Sequence, residues 1–186
     1  MVLYTAIGLL GLSVVSCRFT ESSKAAGDWS AYHQKSYIVR HVIDGDTVEI
    51  ESPDMPTVRT KVRLIGVDAP EANSYWADAA TRYVDARADE KSVTIRLEPT
   101  RTRDRYGRLL AYVYLSDRES LNLALVRDGQ AYADRRFRHT MASQFEQAEN
   151  AARKKGTGLW KDVREQQMPE WRQRWLTERA AGEHPQ

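Results

Sequence analysis

The chain has 186 residues, which gives room for one ordinary domain with tails and argues against a multidomain protein. Hydrophobic residues make up 41% of it, enough to form a core, and the formal net charge of +2 does not by itself indicate a partner. The single cysteine, Cys17, excludes an internal disulfide, so the fold must be stabilised by its core.

The first 17 residues predict a targeting segment. Residues 2–15 are apolar but too short for a comfortable membrane span, and they lead into Val-Val-Ser-Cys17. This ending resembles a bacterial lipobox, in which the cysteine is lipidated, although residues 1–5 lack the usual basic residues. A secretory signal with an incidental cysteine and a short uncleaved anchor are the alternatives. We therefore expect an exported protein, either secreted or anchored to the bacterial cell envelope through Cys17.

The remaining chain divides into three further regions. Residues 18–35 are rich in Ser, Ala and charge without a sustained hydrophobic period, which predicts a polar tether. Residues 36–162 contain the regular apolar runs and are predicted to form the folded domain. Residues 163–186 are predicted to be an amphipathic helix with a tail.

Strand patterns dominate the domain. Five strands are predicted, at residues 37–43, 47–50, 58–64, 93–97 and 110–115. Asp44 and Gly45 separate the first two and are a strong hairpin signal. In the third strand, Val58, Val62 and Leu64 alternate with charged residues and are expected to share one face.

Helical patterns follow the third strand and the fifth. They are predicted after residue 72 and at residues 121–127, 140–155 and 170–181. Asn73 or Ser74 is the expected N-cap of the first, and Gly129 and Gly156 end the next two. The last helix is expected to pack back on the domain. This order predicts an α+β fold, namely a five-stranded OB-fold-like β-barrel with an inserted helix and C-terminal helices.

Two acidic residues are candidates for holding a metal ion. Asp46 and Asp68 each follow a strand, and carboxylate oxygens are ligands of hard cations such as Ca²⁺. Clustered His and Cys, which zinc prefers, are absent from the sequence. Taken alone, each acidic motif is also compatible with a plain turn.

Glu71, Arg63 and Arg108 are the candidates for catalysis. Glu71 stands three residues after Asp68, where a general base would reach a metal-adjacent water, although an acid that complements a helix dipole is the alternative. Arginine forks bind phosphate oxygens and stabilise transition-state charge. The alternatives are a solvent-facing charge for Arg63 and a tight turn for Arg108. Together these residues favour a metal-dependent phosphodiesterase.

An arginine-rich stretch favours a phosphate-bearing partner. From Arg101 to Arg138 there are nine arginines and five acids. Tyr106, Tyr132 and Phe137 interleave with them and are candidates for stacking on bases, with packing in the fold as the alternative.

With these residues in place, the chain resembles the staphylococcal nuclease (thermonuclease-like) family over about two-thirds of its length. The matching blocks are Val42–Val48, Val62–Glu71, Asp104–Arg108 with Leu110–Tyr114, Leu121–Gly129 and Gly156–Trp160. The resemblance implies an oligonucleotide-binding barrel and calcium-dependent endonuclease hydrolysis of DNA and RNA, with 3′-phosphate products.

The resemblance also implies roles for individual residues. Asp46 and Asp68 resemble the calcium ligands, together with the backbone carbonyl of Ala69. Glu71 resembles the water-activating residue, and Arg63 and Arg108 resemble the two phosphate-contacting arginines. Substrate contacts are expected from Arg105, Tyr106, Arg135 and Phe137, the last two standing about where the type member has tyrosines.

Two other functions remain open at this point. One is a non-catalytic nucleic-acid or protein-binding module on the same barrel, in which we expect some of the acids and arginines to be lost. The other is a structural envelope lipoprotein, which accounts only for residues 1–17. The expected partners are DNA and RNA and, through Cys17, a membrane; no obligate protein partner is evident.

Overall fold

The structure is a computed structural model and describes residues 25–99 and 101–182. The predicted targeting segment, including Cys17, lies outside the described residues. Within them, no helix combines the length and the apolar character needed to cross a membrane.

Within the described residues the fold comprises seven strands, four helices after the first strand and a helical segment at residues 25–32. The strands are β1 (Lys35–Asp44), β2 (Thr47–Ser52), β3 (Met55–Leu64), β4 (Val67–Asp68), β5 (Ser92–Leu97), β6 (Leu109–Tyr114) and β7 (Tyr132–Ala133). The helices are α1 (Ala77–Ala88), α2 (Leu121–Arg127), α3 (Ala142–Lys155) and α4 (Glu170–Ala180), with 3-10 turns at Gly158–Lys161 and Glu165–Gln167.

Five of the strands close into a barrel in the order β1-β2-β3-β6-β5. All neighbours in the barrel run antiparallel except β3 and β6, which are parallel. The side chains of Val48, Ile50, Val62, Ile95 and Leu109 fill the interior and are fully buried. The predicted α+β barrel with an inserted helix and C-terminal helices is confirmed.

The outer half of β3 is more exposed than the inner half. Val62 and Leu64 are buried as expected, but Val58 is 53% exposed. The reason is that β6 pairs only with Val62–Leu64, so the earlier part of β3 has a strand neighbour on one side alone. The predicted alternation is compatible with this finding, because Val58 lies at the end of the strand where the shared face is not covered.

Helix α1 begins later than predicted. Turns occupy residues 72–76, and the N-cap is Trp76, which offers no side-chain hydrogen bond. The prediction of Asn73 or Ser74 as the cap is wrong because these residues lie within the turns. Helix α2 ends at Arg127, two residues before Gly129, and α3 ends directly before Gly156, which has the left-handed conformation that glycine adopts readily.

The predicted polar tether is wrong for its second half. Residues 25–32 are helical, and Lys35 already begins β1. Asp28 is buried, and Arg103 donates to both of its carboxylate oxygens at 2.7 to 3.0 Å. Thr102 donates to Asp28 as well, at 2.9 Å. This segment therefore packs on the domain; residues 18–24 lie outside the described residues.

The predicted C-terminal helix does pack on the domain. Its residue Arg172 is fully buried and bonds to Glu149 of α3. The region after residue 162 therefore belongs to the same folded unit as the barrel.

Candidate active site

The acids and arginines of the sequence motifs meet at one cavity of about 580 Å³. Its walls come from the turn between β1 and β2, from β3, from the segment after β4, from α1 and from the loop before β6. The sequence-predicted residues among its lining are Asp46, Arg63, Asp68, Ala69, Glu71 and Arg108. Residues that are separated in the chain therefore share one solvent-accessible space.

The β1–β2 turn places Asp46 at the cavity wall. The Asp44 side chain accepts a hydrogen bond from the Asp46 backbone N–H at 2.9 Å, which closes the turn. Gly45 between them is in close contact with its surroundings, since an added Cβ would lie 2.6 Å from the Cβ of Ala80 and 2.8 Å from that of Ala69. Glycine is therefore required here, because it lets the turn press against α1 and the segment after β4.

Asp46, Arg63 and Asp68 form the centre of the site. One nitrogen, Nη2 of Arg63, lies 3.1 Å from Oδ2 of Asp46 and 3.4 Å from Oδ1 of Asp68. The Ala69 backbone N–H donates to the same Oδ2 of Asp46 at 2.9 Å, which ties the two acidic segments together. Two carboxylates thus share the guanidinium of Arg63.

The electrostatics of Asp46 suit a cation. Burial raises the pKa of Asp46; the Arg63 guanidinium opposes this rise, and the carboxylates of Asp44 and Asp68 reinforce it. A hard cation between these oxygens would stabilise the ionised form. Within the described part of the chain, no three acidic, His or Cys side chains are grouped to hold a metal. The oxygens of Asp46 and Asp68 are donors of the kind that a hard cation prefers, and such an ion would take its remaining ligands from backbone and water.

Asp68 has two partners that the sequence analysis missed. Arg136 donates to its Oδ1 at 2.6 Å, and the indole N–H of Trp171 donates to its Oδ2 at 2.8 Å. Arg136 lies next to the predicted Arg135, and Trp171 was expected only to pack. No local signal in the sequence distinguishes either residue, because both contacts depend on how β7 and α4 sit against β4.

Arg108 is held in place by the loop that carries it. The Asp104 side chain accepts hydrogen bonds from the backbone N–H groups of Tyr106 and Arg108 and from Nε of Arg108, at 2.7 to 2.9 Å. Burial alone would raise the pKa of Asp104, but these hydrogen bonds lower it below its usual range. Nη1 of Arg108 lies 3.4 Å from the Thr47 hydroxyl, at the edge of the site. The loop therefore orients Arg108 before any substrate binds.

Glu71 is exposed and lines the same cavity. Its carboxylate makes no hydrogen bond or ion pair with any residue in the ranges 25–99 and 101–182. It is therefore free to accept a proton from a water molecule in the cavity.

The predicted substrate contacts lie outside the cavity lining. Tyr106 is 69% exposed and stacks with the guanidinium of Arg105, and Phe137 is exposed as well. These three residues are accessible to a nucleic acid. Tyr132, in contrast, is buried, so packing in the fold is its role.

Arg135 is turned away from the cavity. Its guanidinium donates to Glu146 at 2.7 Å and to Glu149 at 3.2 Å, and it lies over the ring of Trp175. These contacts occupy the guanidinium, so the structure does not support the prediction that Arg135 binds substrate. The neighbouring Arg136 is the one that reaches the site.

A closed five-stranded barrel with an inserted helix and C-terminal helices places the chain in the class of α+β proteins with an oligonucleotide-binding-type fold. The family model described as Staphylococcal nuclease homologue matches residues 61–162, more than half of the chain. The chain belongs to this family.

Its relatives include two thermonucleases. That of Staphylococcus intermedius is 36% identical over 138 residues, covering 68% of this chain and 76% of the relative. That of Staphylococcus hyicus is 34% identical over 166 residues, covering 83% of this chain and 94% of the relative. An uncharacterized endonuclease of Escherichia coli is 32% identical over 133 residues, covering 72% of this chain and 80% of the relative.

Proposed function

We propose that this protein is a calcium-dependent endonuclease that hydrolyses the phosphodiester bonds of DNA, and of RNA, and leaves 3′-phosphates. Nuclease activity itself follows from membership of the family, with relatives named thermonuclease and endonuclease. The observation that carries the finer proposal is the convergence of Asp46, Arg63, Asp68, Glu71 and Arg108 on one cavity.

Asp46, Asp68 and the backbone carbonyl of Ala69 are the proposed calcium ligands. They offer only oxygen donors, which hard cations prefer, and the two carboxylates lie close enough together to contact the same nitrogen of Arg63. When bound, calcium polarises a phosphoryl oxygen and stabilises the charge that develops on it.

The side chains around the cation supply the remaining chemistry. Glu71 accepts a proton from the attacking water, because its carboxylate lines the cavity with no partner among the described residues. Arg63 and Arg108 bind the non-bridging phosphate oxygens and stabilise the transition state. Attack in line with the 5′ oxygen breaks the bond from phosphorus to that oxygen, so the phosphate stays on the 3′ side.

A non-catalytic binding module on the same barrel is the alternative. It predicts that one or more of the acids and arginines are absent or point elsewhere. All five instead line the cavity, which favours catalysis.

We also propose that the protein is exported, either secreted or held at the cell envelope by a lipid on Cys17. The apolar run at residues 2–15 and the Val-Val-Ser-Cys17 ending support this. Mass spectrometry of the N-terminus of the mature protein tests it, and an unmodified Cys17 in the membrane fraction would exclude lipidation. Millimolar calcium outside the cytosol suits a calcium site of modest affinity.

The test of the enzymatic proposal is cleavage of plasmid, single-stranded DNA and RNA by the purified protein, with millimolar calcium and with a calcium chelator. We expect cleavage that the chelator abolishes and product ends that need phosphatase before a polymerase extends them. Arg63→Ala should abolish cleavage, whereas Arg59→Ala, from an exposed position on the same strand, should not. Cleavage that persists in the chelator would refute calcium dependence, and a folded protein without any cleavage would favour the binding module.

A further inference from the structure

Helix α4 reaches the candidate calcium ligand Asp68 although it lies outside the segment that matches the family model. The indole N–H of Trp171 donates to Oδ2 of Asp68 at 2.8 Å across 103 positions of sequence. On the other oxygen, Oδ1, Asp68 accepts from Arg136 at 2.6 Å. The carboxylate is therefore fixed from both sides, once by a cation and once by a neutral donor.

Arg172, the residue after Trp171, attaches helix α4 to the domain. Nη1 and Nη2 of Arg172 donate to Oε1 and Oε2 of Glu149 at 2.8 and 2.9 Å, and both side chains have zero exposure. Such a two-pronged pair has a narrow geometry, because planar guanidinium and carboxylate must face each other. It therefore sets the position of α4, and with it the position of the adjacent Trp171.

Aromatic rings enclose this buried pair. The Arg172 guanidinium lies 5.1 Å from the ring centre of Tyr132, 4.9 Å from that of Trp160 and 5.9 Å from that of Trp175. Rings at these distances attract the cation and exclude water from it. The contact that holds α4 on the domain is thus shielded from water.

The same network holds the backbone on which Asp68 stands. Oε1 of Glu149 also accepts from the backbone N–H of Ala133 at 2.9 Å. Ala133 lies in β7, which pairs with β4, and β4 ends at Asp68. The pair of Arg172 and Glu149 therefore supports Asp68 in two ways: through β7 it holds the backbone, and through Trp171 of α4 it holds the side chain.

We propose that Trp171 is a positioning residue for Asp68 in calcium binding, an inference that rests on the proposed function. Oδ2 of Asp68 has two lone pairs; the indole N–H takes one of them and leaves the other for the cation. Arg63 and Arg136 both attract Asp68 towards themselves. Without the indole N–H the carboxylate turns towards these arginines and is lost as a ligand. Partners of this kind, which hold a metal ligand from behind, typically change metal affinity 10- to 100-fold.

The test compares Trp171→Phe with Trp175→Phe. Both tryptophans lie on α4 and are half-buried, but only Trp171 touches Asp68. Calcium binding is measured by calorimetry on the full chain without nucleic acid, and thermal unfolding is measured without calcium. We expect Trp171→Phe to bind calcium about 10-fold more weakly or worse. Trp175→Phe should bind as the wild type does, and both variants should unfold cooperatively.

Activity gives a second readout. The cleavage rate of Trp171→Phe should recover as calcium is raised, since the defect is in occupancy of the site. Trp171→His keeps a ring N–H donor and should recover part of the lost affinity.

Three results would overturn the positioning role. Unchanged calcium affinity in Trp171→Phe would refute it, and tighter binding would mean that the indole restrains Asp68 instead of presenting it. Equal losses in Trp171→Phe and Trp175→Phe would assign the effect to packing of the helix. If the wild-type protein cleaves with calcium and only the variant result fails, the proposed function stands; if the wild type binds no calcium, both fail.

Discussion

The two clusters of arginine and carboxylate side chains differ in how far their side chains are exposed to solvent. At the cavity, Asp46 and Asp68 share one nitrogen of Arg63, and the side chains keep a small exposed fraction of 11 to 14%. In the second cluster, both carboxylate oxygens of Glu149 accept from Arg172, and both side chains have zero exposure. The same chemistry thus makes a site that water and ligands can reach at the cavity, and a structural contact closed to water where both partners are fully buried.

The two clusters also differ in how burial shifts the pKa values of their charged groups. Burial lowers the pKa of Arg172, although Glu149 opposes this effect, so the buried pair is stable only as long as both partners are present. At the cavity, burial and neighbouring acids raise the pKa of Asp46, which an added cation would reverse. The buried pair of Arg172 and Glu149 therefore resists change, and the cluster at the cavity is arranged to gain a ligand.

The largest effect on the open cluster is expected from Glu71→Gln. This change removes the proposed proton acceptor while keeping the size of the side chain, so turnover should fall by about 10²- to 10⁴-fold. Calcium affinity should stay near that of the wild type, because Glu71 is not among the proposed ligands. Initial rates on single-stranded DNA and calorimetric calcium titration measure the two quantities.

Asp78→Asn is the matched control for Glu71→Gln. Asp78 also lines the cavity and the proposal gives it no role, so the same loss of charge there should change turnover only a few-fold. Near-normal turnover in Glu71→Gln, or equal losses in both variants, would reject Glu71 as the base.

The structural role of the buried pair can be tested with Arg172→Met. Removing the guanidinium leaves the buried Glu149 with only the longer contact to Arg135, at 3.2 Å, as a charged partner, which we expect to lower the free energy of unfolding by up to about 3–5 kcal/mol. Urea denaturation monitored by tryptophan fluorescence measures this. Arg174→Met, at an exposed position of the same helix, should change it by no more than about 0.5 kcal/mol. A small change in the free energy of unfolding for Arg172→Met would contradict a structural role for the pair.

The sequence sufficed for most of the barrel and for the cavity residues. Strand alternation and the Asp44-Gly45 turn are local signals, and they located the hairpin that carries Asp46. The family motifs then brought Arg63, Asp68, Glu71 and Arg108 into one expected site.

Features that depend on packing between distant segments were missed. The contact from Trp171 to Asp68 follows from the seating of α4, which no local pattern encodes. Arg135 and Arg136 are adjacent, and only their positions after the two-residue strand β7 decide which one reaches the site. The helical turn at residues 25–32 is stabilised by Asp28 binding Arg103, 75 positions away.

The most direct test of the account is the location of calcium in crystals grown with the ion. We predict one calcium at the cavity, bound by a carboxylate oxygen of Asp46, a carboxylate oxygen of Asp68 and the carbonyl of Ala69, with Trp171 still bonded to Asp68. A calcium ion bound elsewhere, or an empty cavity in a protein whose cleavage requires calcium, would contradict it.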